Sequence, residues 1–169
     1  LAILTGAERA ELVEARNRTA APIPEQPIHV QFEAQVERTP DATALLLPTP
    51  LGAGDERTSY RELDRRANRL AHHLRAQGVA TGALVGLCLE RSIEMVVAQL
   101  AILKAGAAYV PLDPLFPTER LGYMVADSRL GHVVSTRELA ALIPDPGVRR
   151  IELDGDAEAI AAQSDARPD

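Results

Sequence analysis

The segment that most constrains this chain is residues 83–112. ALVGLCLE at 83–90 is apolar with no polar alternation, the pattern of a strand covered on both faces. Ser92 then stands as an N-cap, and Ile93, Val96, Val97 and Leu100 recur at helical spacing until Gly106. AAYVPL at 107–112 reads as a second strand. Strand, helix and strand within about 30 residues form a βαβ unit, which requires parallel strands and a right-handed crossover. The alternation continues: Pro117 and Thr118 open a helix through Ala126, followed by HVVS, a helix near 136–142, and RRIEL. The expected fold class is α/β, a mainly parallel sheet with flanking helices.

Upstream, Ser59 with Glu62 three positions on predicts a capping box. The helix that follows carries Leu63, Ala67, Leu70 and Leu74 on one face and Arg61, Asp64, Arg65 and Arg69 on the other, and Gly78 stops it. Ile28, Phe32 and Val36 mark an earlier helix that must end before Thr39-Pro40. ATALLLP between them reads as a strand, and LGAGDER as a turn in which Gly52 and Gly54 can take positive φ. Before residue 28, Pro22, Pro24 and Pro27 remove ladder donors and disfavour helix, so that stretch is an extended linker with a boundary near residue 27. A strand end at residues 1–4 leads into a short helix on a Thr5/Glu8 capping box. The tail DAEAIAAQSDARPD is expected to be a surface loop.

Charge narrows the partners. A net charge of −6 with no cluster of cations argues against nucleic acid, where phosphate neutralisation would be needed. No apolar run reaches the roughly 18 residues that span a bilayer. A lone cysteine, Cys88, cannot form an internal disulfide, which fits a reducing cytoplasm.

Catalytic constellations are missing from the sequence. A phosphate cradle needs closely spaced glycines, and neither GxGxxG nor GxxxxGK[ST] occurs. This also argues against a dinucleotide-binding oxidoreductase. The glycines at 52–54 read as a hairpin loop. His72 and His73 are neighbours on a helix and read as solvated or flanking residues, while His29 and His132 stand alone. Cys88 reads as a small buried hydrophobe. Asp113 lies at a strand's carboxyl end, where open α/β sheets place ligands, yet Asp-Pro is also a turn signal, the reading preferred here. Glu90-Arg91 reads as a surface pair. Lys104, the only lysine, reads as a cation complementing the dipole at its helix end.

Longer stretches carry a resemblance. TSYRELDRRANRLAHHLRAQGV at 58–79 resembles the first core motif of adenylation domains, L-T-Y-x-E-L, with the helix after it. LKAGAAYVPLDP at 103–114 is similar to the second core motif throughout, and QVERTPDATAL and FPTERLGYMVADS also look like text of that family. The chain resembles the N-terminal part of an adenylation domain of a nonribosomal peptide synthetase, in the adenylate-forming superfamily. The resemblance implies a condensation–adenylation linker at 1–27 and the first part of the N-terminal subdomain at 28–169, ending before the phosphate-binding loop.

Further expectations follow from that resemblance. The parent would use ATP and Mg²⁺ to form an aminoacyl adenylate and load it on a carrier protein's phosphopantetheine thiol. No catalytic, cofactor-binding or metal residue is expected among these 169. The partners implied are the remainder of the domain, the condensation and carrier domains, and an MbtH-like activator. Ala101, Ala105, Ala107 and Ala108 are the candidate docking residues for that activator. Their small side chains would admit a partner's aromatic; close packing of helix on sheet would equally explain them.

Overall fold

The computed structural model describes residues 3–48, 54–144 and 147–169. Four parallel strands form its centre: β3 (Leu84–Cys88), β4 (Ala108–Pro111), β5 (His132–Ser135) and β6 (Arg149–Glu152), in the order β4-β3-β5-β6. Helices α4 (Ile93–Lys104), α5 (Thr118–Asp127) and α6 (Arg137–Ala140) make the crossovers. The mixed α/β class expected from the alternation is therefore found, with strands parallel in every pair of this sheet. A second, antiparallel pair joins β1 (Thr43–Leu47) to β2 (Glu56–Ser59). Of the turn between them, Gly52 lies outside the described residues, and Gly54 has φ +75°.

Register explains why the apolar run does not alternate. Leu87, Val134 and Ile151 are aligned across three strands and pack, with Val85, on α4 and on α3 (Tyr60–Ala76). The intervening residues point the other way: Cys88 and Val133 join Leu112, Leu121, Val125 and Ile143 in a second cluster beneath α5. Both faces are buried, so both parities must be apolar. Gly86, in the middle of β3, is a close-approach position: a Cβ there would fall 2.8 Å from Val133 Cγ2.

Helix ends follow their capping residues. Ser59, Ser92 and Thr136 each accept a backbone N–H from the residue three positions on. At Ser59 the reciprocal half of the expected box is not formed; Glu62 lies 4.0 Å from Arg65 instead. Three helices end in the same way. Val79 N–H donates to Leu74 O, Ala107 to Ile102 O and Leu130 to Val125 O, while Gly78, Gly106 and Arg129 donate to the carbonyls three residues back. These are Schellman closures, and in each the outer pair of side chains is buried.

Helix α2 (Ile28–Arg38) packs through Phe32 and Val36 and stops at Thr39. Residues 3–27 are exposed throughout. Within them α1 (Gly6–Arg9) opens on the complete Thr5/Glu8 capping box and widens into a π-type turn at Ala10–Ala15. Ile3 and Leu4 form no strand, so that expectation fails where it can be checked.

The tail departs from expectation. In place of a loop, residues 157–161 form α7 (Ala157–Ala161), and Ile160 packs on the core. The segment after it lies along α3, where Asn68 Nδ2 donates to Asp165 O at 2.9 Å and His72 Nε2 lies 3.0 Å from Ala166 O. Asp165 and the backbone carbonyl of Ala166 are what bind α3.

Candidate functional site

The chain leaves β3 for β4 on one side and then returns past β3 to β5 on the other. Between the carboxyl ends of β3 and β5 the helices therefore diverge to opposite faces, and open α/β sheets place ligands in the crevice this creates. A crevice of about 370 Å³ lies at this point, lined by Leu89, Glu90, Ser92, Glu94, Thr136, Glu138 and Leu139. The N-caps of α4 and α6 flank it.

Its chemistry is acidic. Glu94 is held by Arg66 at 2.9 Å, while Glu90 and Glu138 are exposed. Among the described residues no group of three His, Cys, Asp or Glu is arranged to hold a metal ion. Each cap hydroxyl accepts one backbone N–H, Ser92 from Met95 and Thr136 from Leu139.

The individual candidates occupy structural roles. Cys88 ends β3 fully buried, and burial, with Asp113 nearby, pushes its thiol up to about 11, away from the thiolate a nucleophile needs. Beside it in register is Ser135, also fully buried, whose hydroxyl has no hydrogen-bond partner. Asp113 Oδ1 accepts Leu115 N–H at 2.9 Å and Asp113 O accepts Phe116 N–H, which is the turn its sequence indicated. Glu90 and Arg91 are exposed. His132 Nε2 lies 3.1 Å from Gln77 O. His73 departs from its solvated reading: it is 3% exposed, with Nε2 3.9 Å from Asp156 Oδ2.

Sequence reasoning missed one cluster. It places Lys104 at a solvated helix end and Asp64 on a solvated face. Instead Lys104 is 4% exposed and its ammonium meets Glu33 of α2 and, at 3.0 Å, Asp64 of α3. Asn68 Nδ2 donates to the other Asp64 oxygen at 3.2 Å. The carbonyl of Lys104 is taken by Arg75 Nη2 at 3.1 Å, so the helix end is served by a different cation. The signal was present in the spacing. Lys104 continues the Val97–Ala101 stripe at i+7, and Asp64 shares Ala67, Asn68 and Ala71's buried side of α3.

The four alanines divide. Ala101, Ala105 and Ala107 are buried against the sheet, and Ala108 alone is exposed, at the start of edge strand β4.

Residues 32–168 match the family described as AMP-binding enzyme. The chain belongs to that family. As an AMP-binding enzyme sequence it is 46% identical over 167 residues to a linear gramicidin synthase of Brevibacillus parabrevis, covering 98% of this chain and 3% of that one. It is 42% identical over 144 residues to tyrocidine synthase 2 of the same organism, covering 85% of this chain and 4% of that one. Among solved structures it superimposes on the nonribosomal peptide synthetase FmoA3 in its AMPPNP-bound form, with TM-score 0.78 and 33% identity over 90% of this chain and 16% of that one. It also superimposes on a fatty acyl CoA synthetase of Mycobacterium tuberculosis, with TM-score 0.74 and 25% identity over 83% of this chain and 29% of that one. The chain thus spans a small fraction of each relative. Among its described residues no helix is long and apolar enough to cross a membrane.

Proposed function

We propose that these residues are scaffold for an amino-acid-activating adenylation domain in a cytoplasmic nonribosomal peptide synthetase module, with residues 1–27 as its incoming linker. The observation that carries the reading is identity to the linear gramicidin synthase across nearly the whole chain. The site chemistry agrees with a supporting role: the switch-point crevice is acidic, Cys88 is buried, and Lys104 is committed to two carboxylates. Binding of ATP and Mg²⁺, and transfer to a carrier's phosphopantetheine, fall to polypeptide outside these residues. Condensation and carrier domains are the expected neighbours.

Pyrophosphate exchange into ATP tests this directly. A longer protein carrying these residues should exchange with one or a few amino acids and not with fatty acids. The 169-residue chain alone should exchange with neither. Exchange by the short chain, or a fatty-acid requirement in the long one, overturns the proposal.

A second reading rests on Ala108, whose exposure at the head of β4 beside part-exposed Tyr109 leaves a small surface for an MbtH-like activator. Ala108→Arg should then abolish co-purification with such a protein while leaving solubility unchanged. Retained co-purification refutes it.

A further inference from the structure

Residues 165–167 lie on α3 and reach α2. Asp165 sits over α3: its carboxylate accepts Arg65 Nε at 2.8 Å and lies 3.4 Å from Arg69 Nη2, while its carbonyl takes Asn68. His72, one turn on, meets Ala166 O. Positions 65, 68, 69 and 72 are neighbours on a helix surface, so the segment follows the helix axis rather than crossing at one point. Arg167 then turns to α2. Its guanidinium lies 2.9 Å from Glu37 Oε1 and 3.8 Å from Glu33 Oε2, and Nη2 also reaches Glu33 O at 3.4 Å.

We propose that Arg167, Glu33 and Glu37 form a clasp joining the segment after α7 to helix α2, so that neither shifts without the other. Glu33 makes the clasp more than a surface pair, because it also receives the buried Lys104 of α4. Three carboxylates, Glu33, Glu37 and Asp64, thus share two cations, Lys104 and Arg167, across the junction. Beyond the clasp, Pro168 and Asp169 wall a cavity of about 330 Å³ together with His29 and Val30 at the start of α2. A displacement of α2 by the exposed segment before it is therefore felt at residues 165–169, and the reverse.

Hydrogen–deuterium exchange on the full chain tests the coupling. Arg167→Ala should raise exchange about two- to five-fold in residues 33–38 and 165–169 together, the loss of a surface-level charge contact, with β3 and β5 unchanged. Asp165→Asn, which acts only on α3, should release the same two segments. Glu37→Gln, which removes a carboxylate of the clasp and leaves α3 untouched, should release both segments as well. The clasp is refuted if α2 keeps its protection in Arg167→Ala and Asp165→Asn, if residues 165–169 keep theirs in Glu37→Gln, or if the core strands loosen equally.

Discussion

Gly106 is the position where backbone geometry and sheet assembly meet, and Gly106→Ala isolates the first from the second. Gly106 has φ +83° and closes α4, with its N–H on Leu103 O and that of Ala107 on Ile102 O, both at 3.0 Å. Its carbonyl accepts Gly82 N–H at 2.8 Å, and Ala108 N–H goes to Ala83 O at 2.9 Å, so the same turn aligns β3 with β4. An L-residue in this region costs about 1–2 kcal/mol relative to glycine. A new Cβ would lie 3.0 Å from Thr81 Oγ1 and 3.3 Å from Thr81 Cγ2. Thr81 is exposed and can rotate away, which keeps the steric addition small. Lower entropy in the unfolded chain returns about 0.4–1 kcal/mol, as for any Gly→Ala change. The net expectation is a loss of about 1 kcal/mol, or roughly 2–4 °C in Tm for a chain of this size. Gly131→Ala is the control: its φ is not positive and nothing lies within 4 Å of the added Cβ, so it should be neutral or slightly stabilising. Urea unfolding of both variants, with unchanged m-values, measures the difference. Equal stabilities would mean that the left-handed closure carries none of the cost, and the account of why α4 passes directly into β4 would fall.

Other outcomes follow from the same geometry. Arg129 holds the equivalent closing position on α5 at φ +50°, so Arg129→Gly should stabilise by about 0.5–1 kcal/mol in thermal unfolding. Lys104→Ala leaves Glu33 and Asp64 facing each other in the interior and should cost about 3–5 kcal/mol, whereas Lys104→Met with Glu33→Gln and Asp64→Asn should recover most of that in the same assay. For Cys88, raised from 9.0 to about 11, the thiolate fraction at pH 8 falls about 100-fold, so iodoacetamide labelling should be at least that much slower in the native chain than in urea. The side-chain bond from Arg65 holds the Asp165 carboxylate below the usual range, so its contribution is complete above that range and lost only as pH falls through the lower value; the Ala166 amide shift in NMR should keep its docked position until then.

How much of this could be read from the chain depends on whether a residue's role is set locally. Ser59, Ser92, Gly78 and Gly106 act within four residues of themselves, and each helix boundary they implied is where the structure puts it. The unalternated run at β3 announced a sheet covered twice because burial of both parities has no other simple source. Lys104 and Asp64 failed for the opposite reason. A charged side chain reads as solvated until its partner is known, and here the partners come from α2, 71 residues away in sequence, and from α3. His73 and the tail failed likewise, since one is covered by residues following β6 and the other is held by α3 through contacts 94 to 100 residues apart in sequence.

The same division bears on the polar groups. The buried Lys104 and Asp64 join elements: Lys104 ties α4 to α2 and α3, and the neutral Asn68 amide donates to Asp64 and to the tail. A catalytic group must instead keep a lone pair, a proton or a coordination position free for substrate. By that criterion Ser135, buried at the carboxyl end of β5 beside Cys88 with its hydroxyl unpaired, is the side chain at the switch point that keeps a polar atom free. The crevice thus has the position at which open α/β sheets place ligands, and the unpaired Ser135 hydroxyl is next in sequence to its Thr136 wall.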